Sequence, residues 1–190
     1  MSKKRLIIGM SGASGAIYGV RLLDALRVLG IETHLVMSKS AKMTLTRETD
    51  LKVSEVCQKA SVVYQVEDVG AAIASGSFIT AGMIVAPCSI RTLSEIACGT
   101  TSTLLSRAAD VTLKDRRRLV LMVRETPLHL GHIQSMAKAT EAGAIIAPPV
   151  PAFYARPTSL EDMVDHSIGR VLDLFDIESH LVKRWSEPQD

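Results

Sequence analysis

Residues 9–19 read GMSGASGAIYG; the apolar run KKRLIIGM leads into them, and AIYGVRLLDALRVLG, with helical period, continues from them. The stretch therefore sits at a strand-to-helix turn. Such turns bind phosphates, because a helix N-terminus presents unpaired N–H groups and the positive end of a dipole, and glycines let the backbone come close. Here the glycines fall at 9, 12, 15 and 19, which gives G-x-x-G-x-x-G rather than the dinucleotide G-x-G-x-x-G. No Lys-Ser/Thr pair follows to make a Walker loop. The turn points to a phosphate-bearing ligand held by neither of those modes.

Outward from this turn, short apolar runs alternate with helical patterns: RLIIGM, ETHLVM, GMIVAP, RLVLMV and GAIIAP. Runs that are apolar almost throughout suit strands covered on both faces, so the pattern predicts an α/β three-layer sandwich around a mostly parallel sheet. Ligands in such folds sit beyond the carboxyl ends of the strands. The turns there are SGASG, SKSAK, APCSIRT, RETPLHLGH and APPVPAFYARP. The prolines at 148, 149, 151 and 157 mark an extended arm or lid carrying Phe153 and Tyr154, after which Ser159 caps a last helix reaching about Phe175.

The bulk properties narrow the class. With 190 residues and no linker or repeat, the chain reads as one domain, able to bury about 70% of its unfolded surface. Three cysteines without a C-x-x-C pair suit a reducing cytoplasm, and no apolar run is long enough for a signal peptide or a membrane span. A net charge of +2 and 4% aromatics argue against nucleic-acid binding, although KDRRR at 114–118 is a local basic cluster. The 47% hydrophobic content leaves apolar surface for subunit contacts and points to an oligomer.

In chain order the strand-end turns offer Ser11 and Ser14, Ser38, Ser89 and Thr92, then Arg124 and Glu125. Hydroxyls and helix-start amides for a phosphate and ribityl chain, with a guanidinium for charge, are about what flavin mononucleotide (FMN) needs. Taken singly, Ser89 reads as a plain N-cap, because Pro87-Cys88-Ser89 stops a strand before a helical pattern.

Longer blocks carry a resemblance: GMSGASGAIYGVRLL, HLVMSKSA, GMIVAPCSIRTLSEIACG, RAADVTLKDRRRLVLMVRETPLHLGH and PPVPAFYARPTSLEDMVDHSIGRVLDLF, in this order over nearly the whole chain. In these blocks the chain resembles the UbiX-type flavin prenyltransferases, formerly described as phenylacrylic or polyprenyl-hydroxybenzoate decarboxylases. The resemblance implies a flavodoxin-like (Rossmann-type) fold and dodecamers built from trimers. It implies transfer of a dimethylallyl group from dimethylallyl phosphate to N5 and C6 of reduced FMN. The prenylated FMN would serve a separate UbiD-type decarboxylase. Carried over by position, flavin contacts fall on Gly12, Ala13 and Ser14, on Ser38, on Ser89, Ile90, Arg91 and Thr92, and on Arg124. Prenyl-phosphate contacts fall on Tyr154 and Arg170, with Arg107, Lys114 and Glu125 completing the anion site across a subunit boundary. Ser14 and Glu48 resemble the polar groups near the reacting flavin edge. The chain departs from many relatives at TTST, residues 100–103, where they carry Asp or Asn.

Each piece has a plainer reading. Arg107 and Lys114 share a helix face that would otherwise be solvated, Glu48 would be a surface carboxylate, and Tyr154 an exposed ring packed on a neighbour. Cys88 reads as a buried filler. His129 and His132 lack a third ligand, and EDMVD at 161–165 reads as an acidic helix start rather than a magnesium motif, so no metal is expected. Two other functions compete. A flavin-dependent cysteine decarboxylase would carry PASANT where this chain has PCSIRT, and a PxMNxxMW motif that is absent. A flavodoxin-type electron carrier would be acidic and aromatic-rich, whereas this chain has a pI near 8.5.

Overall fold

The apolar runs become strands wherever helices can cover both of their faces. The computed structural model describes residues 4–185. Its six strands are β1 (Arg5–Met10), β2 (Glu32–Met37), β3 (Val62–Tyr64), β4 (Gly82–Cys88), β5 (Arg118–Val123) and β6 (Ala144–Ile146). They form one sheet in the order β3-β2-β1-β4-β5-β6, with every neighbouring pair parallel. Without the edge strand β3 the order is that of flavodoxin-like sheets. The sequence reading missed β3. Its three residues are exposed or half-buried, so it carries no burial period to detect.

Among the described residues seven helices complete the layers: α1 (Ala16–Val28), α2 (Lys39–Glu48), α3 (Val53–Cys57), α4 (Ile90–Ala97), α5 (Leu104–Lys114), α6 (Leu130–Glu141) and α7 (Leu160–Asp173). Strand residues alternate between two cores. Leu6, Ile8, Leu35, Ile84 and Val120 pack with Leu22, Leu23 and Leu26 of α1 and Ile168 and Leu172 of α7. Ile7, Val36, Met83, Val85, Leu119 and Leu121 pack with Leu93 of α4 and Leu105, Ala108 and Ala109 of α5. Each fully buried leucine stabilises by roughly 1.5–3 kcal/mol relative to exposure. The result is the three-layer sandwich that the alternating runs predict.

Helix α6 is the outlier. Among its twelve residues only Ala139 is buried, and Leu130 and Ile133 stand in solvent beside exposed Leu128. No helix among the described residues is long and apolar enough to cross a membrane.

The proline-rich segment is extended, with one 3-10 turn at Phe153–Ala155. EDMVD then opens α7. The Ser159 hydroxyl accepts from the Asp162 amide at 3.1 Å, and the Asp162 carboxylate accepts from the amides of Ser159 and Thr158. Asp165 is forked by Arg21 of α1 at 2.9 and 2.6 Å, which ties the first helix to the last.

Candidate functional site

Strands β1 and β4 are neighbours, but the chain leaves β1 for a helix on one face and β4 for a helix on the other. A crevice opens at such a switch point. Ser11 stitches its floor: its hydroxyl donates to the Pro87 carbonyl at 3.0 Å and accepts from the Ser89 amide at 2.7 Å. Above lies a cavity of about 460 Å³, lined by Gly12, Ser38, Ser89, Arg91, Thr92 and Thr103 among others. That volume falls in the usual range for small-molecule sites, roughly 300–1,000 Å³.

Three helices begin at this cavity, each with a neutral cap. Ser38 accepts from the Ala41 amide at 3.0 Å, Ser89 from the Thr92 amide at 3.3 Å and Thr103 from the Ser106 amide at 3.3 Å. A hydroxyl satisfies one orphan amide and leaves the helix dipole uncompensated, so the starts of α2, α4 and α5 jointly favour an anion. Ser89 is thus the cap that its sequence neighbours suggest and a cavity wall as well. Gly12 comes so close to α2 that a Cβ there would lie 2.3 Å from the Ser40 Cβ. Thr103, in the divergent TTST, joins the cavity wall without a sequence signal, because its box partner Ser106 stands where the recognisable pattern has Glu or Gln.

The glycine turn itself does something else. Gly15 takes the left-handed conformation, with φ 98°, and caps α1. Its amide and that of Ala16 both donate to one oxygen of Glu48, at 2.9 Å each. Burial pushes the Glu48 carboxyl up, but hydrogen bonds from the Ser14 side chain and from the Ala16 and Gly15 amides, with the Arg124 charge, hold it below the usual carboxylate range. At this helix start the chain supplies an anion of its own, from the last residue of α2. Ser14 and Glu48, paired by the resemblance, do meet here.

The remaining candidates fall in three places. Arg124, exposed at the end of β5, donates its amide to the Cys88 carbonyl at 3.1 Å, and its charge acts on Glu48 and on Tyr18. Burial raises the Tyr18 phenol, against the pull of Arg124. Neighbouring Glu125 accepts from the Thr126 amide at 3.0 Å. Tyr154 and Arg170 line a second cavity of about 320 Å³ between the arm and α7. There Arg170 pairs with Asp173 at 2.8 Å. Arg107 and Lys114 lie on α5, paired with Asp110 and Asp115 at 2.8 Å each. Lys114 ends a helix about 15 Å long that starts at the first cavity, which carries it toward the opposite edge of the sheet. Neither Arg107 nor Lys114 lines the switch-point cavity or the one beside Arg170.

Ala13 and Ile90 offer backbone only, Ala13 being buried with its amide on the Ser11 carbonyl, and the Ile90 side chain packed toward the α4 core. Cys88 is fully buried and its thiol is pushed far above the ordinary value by burial, which fits a filler and not a nucleophile. His129 caps α6, its Nδ1 accepting from the Gly131 amide at 3.0 Å, and stacks on His132 at 3.6 Å.

Residues 1–185 match the model of the family described as Flavoprotein. The flavin prenyltransferase UbiX of Thauera aromatica is 58% identical over 182 residues, 96% of this chain and 94% of the relative. The crystal structure of AnUbiX in complex with FMN and dimethylallyl pyrophosphate superposes with a TM-score of 0.96 at 50% identity, covering 98% of this chain and 100% of the other. A dodecameric FMN-dependent UbiX-like decarboxylase from Escherichia coli O157:H7 gives a TM-score of 0.94 at 47% identity, covering 96% of this chain and 100% of the other. With identity of this order along almost its entire length, the chain belongs to the flavoprotein family, among the UbiX flavin prenyltransferases.

Proposed function

We propose that the chain joins a dimethylallyl group from dimethylallyl monophosphate to N5 and C6 of reduced FMN, and that the prenylated FMN serves a separate UbiD-type decarboxylase. The observation that carries this reading is the switch-point cavity on which three helix starts converge. Its donor set fits the flavin: hydroxyls and amides of Ser38, Ser89 and Thr92 for phosphate and ribityl oxygens, along a wall where Gly12 lets the opening loop pack directly on α2. When bound, the reduced flavin supplies two electron-rich ring positions that can be alkylated.

The chain's own groups then have defined tasks. Breaking the donor's carbon–oxygen bond leaves the electron pair on phosphate, and Arg124, Arg170 and the Tyr154 hydroxyl are suited to hold that growing charge. Glu125 is exposed beside Arg124 and can exchange a proton with the departing phosphate. Ser14 and Glu48, already hydrogen-bonded, fix a polar edge beside Arg124. Arg107 and Lys114 would join from a neighbouring copy, in a dodecamer like that of the E. coli relative. Exposed Leu128, Leu130 and Ile133 provide apolar surface for such contacts. The chain acts in the cytoplasm as one flavoprotein domain, passing its product on without binding nucleic acid or membrane.

The test is mass spectrometry of flavin extracted after anaerobic incubation with reduced FMN and dimethylallyl phosphate in excess EDTA, beside a parallel reaction with the diphosphate and magnesium. The expected result is FMN carrying one added five-carbon unit in the first reaction. Unmodified flavin in both would overturn the proposal, and product only with diphosphate and magnesium would replace the donor.

A further inference from the structure

The polar side chain against Tyr154 has no task in the reaction described above. His166 is on the buried face of α7, 8% exposed. It stands edge-on to Tyr154, with ring centres 5.6 Å apart at 81°, and its Nε2 is 3.2 Å from the tyrosine hydroxyl. Both line the cavity that Arg170 borders from the next turn of the helix. The other side of His166 faces a polar cavity of about 300 Å³ bordered by Arg156, Asp162, Asp165, His180 and Lys183.

We infer that His166 is a positioning residue: its Nε2–H donates to the Tyr154 oxygen and thereby turns the hydroxyl hydrogen toward a phosphate beside Arg170. The inference rests on the reading of Tyr154 as a prenyl-phosphate contact. Donor and acceptor chemistry sets the direction. A phosphate dianion only accepts, so Tyr154 must donate to it, and the hydroxyl has one hydrogen to give. Its lone pairs then face the imidazole, which must present N–H there. With the opposite tautomer, Nε2 takes the tyrosine's hydrogen and the phosphate meets a lone pair.

The experiment measures KM for dimethylallyl phosphate, with kcat, FMN affinity and thermal melting as controls. His166→Met, of similar bulk but without a donor, should raise KM about 3- to 10-fold with little change in FMN affinity. His166→Gln, which keeps an N–H donor, should recover most of that loss. In a Tyr154→Phe background, His166→Met should add nothing. Equal damage by Gln and Met, or a His166→Met effect that persists without the Tyr154 hydroxyl, overturns the assignment. An unaltered KM in Tyr154→Phe itself overturns the reading of Tyr154, and the inference with it. That result is distinct from a sensitive Tyr154 beside an inert His166. If the Met variant does not fold, 15N spectra of histidine-labelled wild-type protein decide: protonated Nε2 at His166 with phosphate present is expected, and a bare Nε2 overturns it.

Discussion

At the carboxyl edge of the sheet, the start of α1 and the starts of α2, α4 and α5 present the same backbone groups but hold different partners. The first is closed by a charged group of the chain, Glu48, on two amides. The other three are closed by the neutral hydroxyls of Ser38, Ser89 and Thr103 and border the open cavity. A glycine-rich turn before a helix is an offer to any anion, and the nearest carboxylate can take it. The positions left with uncharged caps are the ones with attraction to spare for a ligand.

Filling the approach at Gly12 tests this contrast hardest. Gly12→Ala sets a methyl against Ser40, and overpacking of this kind should lower stability by about 1–3 kcal/mol in urea unfolding. Unchanged stability would show that the loop and α2 are not held against each other at this point.

Next comes the plug. Glu48→Gln keeps the shape and removes the charge, and should lower stability by about 1 kcal/mol in thermal or urea unfolding, modest because the carboxylate is partly solvated. Its folded-state pKa is depressed, so the stabilisation is complete above the ordinary carboxylate range and fades as pH falls through the lowered value. The gap between wild type and variant should close in acid. Unchanged stability with tighter phosphate binding would show that the α1 start is a ligand site after all.

The smallest effects sharpen the other side. Ser38→Ala, Ser89→Ala and Thr103→Ala should each weaken FMN binding by roughly 2- to 10-fold. A loss concentrated in one variant would assign the phosphate to that helix alone.

Much of this architecture was legible in the sequence because burial on both faces writes itself as uninterrupted apolar runs. Five strands could be read that way, whereas β3 could not, since an exposed three-residue edge leaves no pattern. Local caps were legible too: Ser89 and Ser159 stand where proline and acidic neighbours announce a helix start. The partnership of Glu48 with Gly15 spans 33 positions and has no local signature, so by itself Glu48 looked like any surface carboxylate. The shared face of Arg107 and Lys114 was readable from helical spacing. The short-range pairs with Asp110 and Asp115, which leave them solvated in one chain, needed coordinates.

Helix α2 touches the opening turn at both ends, through Ser40 against Gly12 and through Glu48 on Gly15 and Ala16. Ten residues of helix make a stiff rod about 15 Å long. Fastened at two points, the rod and the loop beneath it must shift as one part, as a truss does and a hinge does not. A load applied at the Ser38 end is carried along α2 to the carboxylate at the other, so the loop has no freedom to relax separately.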